Sequence, residues 1–157
     1  MSELSAISGS RSLHRLIYAS RQSIAPADLD HEVGAIIRAS IRNNREVALT
    51  GLLLVHADWF IQALEGPAEA VMTTYRRIVD DPRHSDAKVL SAGPATAREF
   101  ADWNMCARQM SPSDDAILDA LAQRAAFQPN TLSATSALRL LKSVRGIQDR
   151  TARAALG

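Results

Sequence analysis

The sequence predicts an α+β fold, on three observations. Apolar runs of strand length and stretches of helical periodicity follow one another as strand–helix–strand–strand–helix–strand, the order of a split βαβ, ferredoxin-like sheet. The first and third strands carry apolar residues on both faces, so the sheet needs a cover on each side. Beyond Ser111 the pattern turns helical and offers material for the second cover.

Leu13–Ser20 (LHRLIYAS) reads as the first strand, with Leu16 and Tyr18 on one face and Arg15, Ile17 and Ala19 on the other. Arg21–Ala27 contains Pro26 and reads as a loop. From Asp28 to Asn43, Leu29, Val33, Ile36, Ile37 and Ser40 share a helical face. Asp28 and Asp30 suit the positive end of that helix dipole, and Asn43-Asn44 reads as its polar stop. Ala48–Val55 and Trp59–Glu65 are two strands close enough to form a hairpin. Pro67 suits the first position of a second helix, on which Val71, Tyr75 and Ile78 keep helical spacing. Lys88–Ala92 is a fourth strand and Trp103–Met110 a fifth. The first and third strands are expected as central neighbours, with both helices on one face.

In the tail, Ile117, Leu118, Leu121 and Ala125 form one helical stripe. Pro129-Asn130 interrupts, and Leu138, Leu141 and Val144 form another. Helices over Asp114–Phe127 and Thr135–Asp149 are expected to cover the second sheet face. The organisation is thus a flexible tail over 1–12, one α+β domain over 13–110 and a helical extension over 111–157. The expected sheet has about five strands, two helices on one face and two C-terminal helices on the other.

Composition narrows the function. A chain of 157 residues with 46% hydrophobic and 22% charged content holds one globular core. A formal net charge of +1 offers no field to draw nucleic acid or an anionic membrane. Cys106 is the single cysteine, which excludes an intrachain disulfide and a zinc site of several thiolates. It reads as a small buried hydrophobe. His14, His31, His56 and His84 are scattered, with no two at metal-ligand spacing. There is no GxGxxG, P-loop or nucleophile elbow. An apolar run such as Leu52–Val55 is far too short to cross a bilayer, and the Ser-rich first dozen residues lack a signal-peptide h-region. A cytoplasmic protein is the expectation.

Gln62 is the residue least at ease in a plain core. It lies mid-strand between Ile61 and Ala63, on the face of Phe60 and Leu64. An unpartnered buried amide costs about 1–3 kcal/mol on protein mutational scales, so it must bond something; an edge position or nearby backbone suffices. Tyr18 faces the same side on the neighbouring central strand, where a phenol and an amide can meet, although a core tyrosine often reaches the surface with its hydroxyl. Asn43-Asn44 serves equally as a helix cap. Arg76, Arg77, Asp80, Asp81, Arg83 and His84 crowd the end of the second helix as a solvated charged face. Core packing accounts for Trp103 and Met105, which share a strand face.

Five segments, LIYAS, NNREVALTG, WFIQALEGP, RRIVDDPRHS and FADWNM, occur in an order and spacing that resemble the BLUF domain, the flavin-binding blue-light sensor. The resemblance covers about Leu13–Met110, and the tail resembles the helical extension of short BLUF proteins without a catalytic output domain. It implies FAD held noncovalently between the two helices. It assigns Tyr18 as the photoactive tyrosine and Gln62 as the switching glutamine. Asn44, with Asn43 beside it, matches the asparagine that bonds the flavin edge. Ile36 and Ile78 match the residues that sandwich the ring system. Arg77, Asp81, Arg83 and His84 fall where the family contacts the ribityl and phosphate side. Trp103 and Met105 match the pair near the glutamine.

Those residue types suit that chemistry. Aliphatic side chains fit flat apolar faces, and amides both donate and accept along a polar edge. A phenol is the best electron donor among these side chains, and its proton can pass through an amide. The resemblance implies that light leaves the Gln62 amide rearranged and the absorption band shifted red, reversibly in darkness. It implies a sensor and not an enzyme. Its expected partners are a downstream effector protein and a second copy of the chain, with no direct contact to nucleic acid or membrane. A small acylphosphatase-like enzyme and a cofactor-free interaction module remain the alternatives. A yellow protein whose band shifts red after blue light separates the sensor from both.

Overall fold

A computed structural model of the chain describes residues 12–56, 59–101, 106–109 and 129–143. Its centre is a five-stranded sheet in the order β4-β1-β3-β2-β5, where the strands are β1 (Leu13–Gln22), β2 (Thr50–His56), β3 (Trp59–Pro67), β4 (His84–Pro94) and β5 (Cys106–Gln109). Helices α1 (Leu29–Glu46) and α2 (Ala68–Val79) make the two crossovers. β1 pairs antiparallel with β3 on one side and β4 on the other, β2 pairs antiparallel with β3, and β5 lies parallel to β2. The expected central pair is therefore present.

Parity sorts the core as the sequence predicts. Leu16, Tyr18, Leu53, Phe60 and Leu64 pack under α1 and α2, with Ile36 and Ile78 against them. Ile17, Ala19, Ile61 and Ala63 form a second core on the opposite face. There, Ala137 and Leu141 of a C-terminal helix over 134–143, here α3, are fully buried. The second cover is thus in place for that helix. The other expected tail helix, Asp114–Phe127, lies outside the described residues, as do Trp103 and Met105.

Several boundaries move, each for a local reason. A 3-10 turn over Pro26–Asp28 precedes α1, because Pro26 needs no N–H in a first turn. The helix then passes through Asn43 and Asn44 to Glu46, so this pair sits inside the last turns and is not the stop. Pro67 ends β3 and stands at the N-cap of α2, one residue before the position expected for it. β4 starts at His84 and outruns Lys88–Ala92, because the pairing with β1 supplies ladder partners to its polar ends. β5 is shorter than Trp103–Met110 among the described residues, and Pro129-Asn130 falls in a 3-10 turn.

Candidate functional site

The β1–β3 register sets Tyr18 opposite Gln62, and the Tyr18 hydroxyl donates to Gln62 Oε1. Both side chains are almost fully buried, at 2% and 3% exposed. The bond answers the demand that an amide in this core find a partner. Its cause lies in the sequence: even-numbered residues of both strands face the helices, and the antiparallel register does the rest.

Above this pair, α1 and α2 enclose a groove in three lobes. The innermost, about 50 Å³, is lined by Tyr18, Gln62, Ile36, Ile78, Phe60 and His84 among others. A second, about 130 Å³, shares Ile36, Gln62, Ile78, Asp81 and Arg83 with it and adds Asn43 and Arg77. The outer lobe, about 520 Å³, shares Asn43, Thr74 and Arg77 with the second and reaches Pro67 and Glu69. The widest lobe is remote from the phenol–amide pair, and the narrow floor holds the groups able to do chemistry.

At one end, Arg83 grips Asp81 through Nε at 2.9 Å and Nη2 at 2.6 Å, and lies 3.6 Å from Glu32 on α1. The hydrogen bonds from Arg83 hold the Asp81 carboxyl below its ordinary value, and Asp81 in turn raises the guanidinium. His84 does not belong to a solvated charged face: it is buried, its Nε2 donates to the Ile78 carbonyl, and its Nδ1 lies 2.7 Å from Ser20 Oγ. A carbonyl can only accept, so Nε2 carries a proton. His84 thus fastens the end of α2 to β1, two residues from Tyr18. Arg76 and Arg77 are exposed on α2, as the sequence suggests.

Burial pushes the Tyr18 phenol well above its ordinary 10, with the nearby Tyr75 and Asp81 adding to the shift. Tyr75 packs against it with ring centroids 5.4 Å apart and planes tilted by 55°, and is itself raised by burial. A raised phenol stays neutral in the folded protein where the unfolded chain ionises. Its contribution to stability is complete below about pH 10 and is lost as the pH climbs beyond. In Tyr75→Phe, which leaves Tyr18 as the sole tyrosine, alkaline titration is expected to show no tyrosinate absorbance until the circular dichroism reports unfolding. A step near pH 10 in the folded protein would contradict this environment.

Tyr18, Gln62, Ile36, Ile78, Asp81, Arg83 and His84 meet in the innermost lobe, and Asn43 and Arg77 border the two outer ones. Asn44 lies on α1 beside Asn43. Phe60 stands in the floor on the Gln62 face, where strand parity sets it, while Leu53 in the floor, Tyr75 against Tyr18, and the Ser20–His84 contact escape a reading of the sequence. Strand parity could have placed Leu53; the other contacts join distant segments and leave no local signal. Among the described residues, no group of acidic, histidine or cysteine side chains could hold a metal ion, and no helix is long and apolar enough to cross a membrane.

A slot with aliphatic walls, a phenol–amide floor and charged ends has the chemistry that suits a flat heterocycle with polar edges. The family described as sensors of blue-light using FAD, BLUF, matches residues 13–106. The beta subunit of photoactivated adenylate cyclase from Euglena longa is 32% identical over 120 residues, 74% of this chain and 14% of that protein. The blue light- and temperature-regulated antirepressor BluF of Escherichia coli K12 is 36% identical over 93 residues, 59% of this chain and 23% of that protein. The chain thus spans between a tenth and a quarter of the curated relatives it matches. The dark-state structure of the BLUF protein BlrB superposes with a TM-score of 0.72 at 30% identity, covering 86% of this chain and 96% of that one. The ground state of BlsA gives 0.73 at 25% identity over 83% and 87%. The chain belongs to the BLUF family, whose domain is a blue-light sensor module with FAD as its cofactor.

The groove fits that cofactor. Ile36 and Ile78 are partly buried hydrophobics facing its interior, the Gln62 amide offers a donor and an acceptor at its floor, and Arg77 and Arg83 border its length.

Proposed function

We propose that α1 and α2 hold FAD between Ile36 and Ile78, with Asn44, Asn43 and Gln62 on its polar edge. Arg77, Asp81 and Arg83 serve its ribityl and phosphate side, with His84 packed behind them. Tyr18 and Gln62 form the light-operated switch, and the signal passes to a separate effector protein. The observation that carries this reading is the buried hydrogen bond from Tyr18 to Gln62 at the floor of the groove.

When bound, the flavin supplies absorption of blue light and an excited state of strong oxidising power. Tyr18 gives up an electron, and its hydroxyl proton has a direct route along the existing bond to Gln62 Oε1. Burial keeps that proton on the phenol until then. With a proton delivered to its oxygen, the amide can rearrange and exchange its donor and acceptor ends. Electron and proton return to Tyr18, so no covalent bond is lost and darkness restores the start. Trp103 and Met105, outside the described residues, belong to this proposal as the pair near Gln62. A second copy of the chain is the further partner we propose.

The test is spectroscopic. The purified protein with FAD is expected to be yellow, with a flavin band that shifts red after blue light and recovers in darkness; a protein that takes up no FAD would overturn the reading. Tyr18→Phe removes one hydroxyl, which costs about 1 kcal/mol of net hydrogen bonding. It is expected to bind FAD and lose the red shift, and a normal photocycle in this variant would remove Tyr18 from the switch.

A further inference from the structure

Glu65 is a fully buried carboxylate, 0% exposed, on the face of the sheet away from the groove. Three donors meet it: Arg15 Nε at 2.8 Å, the Glu99 N–H at 2.8 Å on Oε2, and the Phe100 N–H at 2.8 Å on Oε1. The two backbone donors belong to the connection over residues 95–101, which forms no helix or strand.

That connection is held at further points. Its Ala97 carbonyl accepts from Arg15 Nη2 at 2.8 Å. Its Arg98 donates to Thr50 Oγ1 at 2.7 Å, to the Glu65 carbonyl at 3.0 Å and to the Ala48 carbonyl at 2.8 Å. A loop anchored this densely is a rigid strut. α3 rests on it: Phe100 packs in one core with Ala137 and Leu141, and Lys142 lies 3.6 Å from Glu99.

The ladder joins the strut to the groove. Tyr18↔Gln62 and Arg15↔Glu65 are cross-strand pairs of the same β1–β3 ladder, three residues apart. That spacing is about 10 Å along a strand and reverses the face. One rung points its side chains into the groove, and the other points them at the strut.

We infer that Glu65 is a positioning residue for signal output: through the β1–β3 ladder it ties the 95–101 strut, and α3 on it, to the Tyr18–Gln62 pair. This rests on the reading of that pair as the switch. A rearrangement at Gln62 alters its own rung, Glu65 feels the change three residues on, and both strut and α3 shift their packing. An apolar residue at position 65 would remove the side-chain acceptor that the Glu99 and Phe100 N–H groups and Arg15 Nε now share.

Hydrogen exchange of the FAD-loaded full chain, in light and in darkness, tests this. The unaltered protein is expected to show a light-minus-dark difference over 95–101 and 134–143. Glu65→Gln keeps the size of the side chain but replaces one acceptor with a donor. It is expected to keep the red shift and lose at least half of the exchange difference at 134–143. Arg15→Lys keeps the charge and loses the fork that joins Glu65 to Ala97; it should reduce the same difference. A purely structural Glu65 would lower the melting temperature and leave the light-minus-dark difference intact, and that result overturns the inference. If Glu65→Gln does not fold, Arg15→Lys decides, and an unchanged difference there also overturns it. Absence of a red shift in the unaltered protein would instead sink the reading of the Tyr18–Gln62 switch.

Discussion

In Gln62→Leu, blue light is expected to leave the flavin band where darkness left it. Gln62 is 3% exposed and sits directly across the ladder from Tyr18, and its amide oxygen accepts from that hydroxyl. Leucine approximates its volume, and the neighbouring Leu53, Phe60 and Leu64 are apolar, so the fold and the slot survive. The Tyr18 hydroxyl loses its acceptor, which costs about 1–3 kcal/mol if nothing replaces it. The effect on switching is total, because leucine has no donor and acceptor ends to exchange. Difference spectra before and after illumination check this; a red shift of normal size in Gln62→Leu would place the switch elsewhere.

Gly51→Ala is expected to produce the largest loss of stability of any single methyl added to the sheet. Gly51 lies on β2 opposite Leu64, and a Cβ there would stand 2.0 Å from the Ala63 carbonyl oxygen and 3.1 Å from its carbon. The obstacle is backbone, so no side chain can swing aside. β2 must draw away from β3, the strand that carries Gln62 and Glu65. Overpacking of this kind costs roughly 3 kcal/mol, the upper end of its usual range. For a chain of this size that lowers the melting temperature by about 6–12 °C. Flavin affinity is expected to fall with it, since the floor of the groove rests on the same strand pair. A melting temperature within a degree or two of the unaltered protein would show that the sheet absorbs the methyl.

Gln62 announces itself in the sequence, because strand parity puts an amide where only apolar groups belong. Tyr18 can be set beside it from the order of the elements alone. The need for a second cover is equally legible: Ile17, Ala19, Ile61 and Ala63 alternate with the groove-facing residues, and apolar faces do not stay wet. Periodicity carries these conclusions because it repeats along one segment.

Gly51 shows nothing in sequence beyond a glycine in an apolar run. Its role depends on how closely two backbones approach, which is a property of the paired sheet. Glu65 is the sharper case. Its charge argues for the surface, and a surface strand end would have suited it. Only the register that brings Arg15 across from it, and the path that returns residues 99 and 100 to its oxygens, make its burial affordable. His84 likewise reads as one of a charged cluster until the end of α2 and Ser20 of β1 are seen to meet its two nitrogens. By itself the sequence determined the α+β order of elements, the two sheet faces, and the placing of Tyr18 and Gln62 on one face of neighbouring strands, because each follows from local spacing and element order; Ile36 and Ile78 as walls came only from the resemblance to the BLUF family. Tertiary structure alone decided the reach of α1 past Asn43 and Asn44, the buried Glu65 strut, the His84 clamp and the close β2–β3 approach at Gly51. Each depends on partners distant in sequence, and no periodicity within a single segment records them.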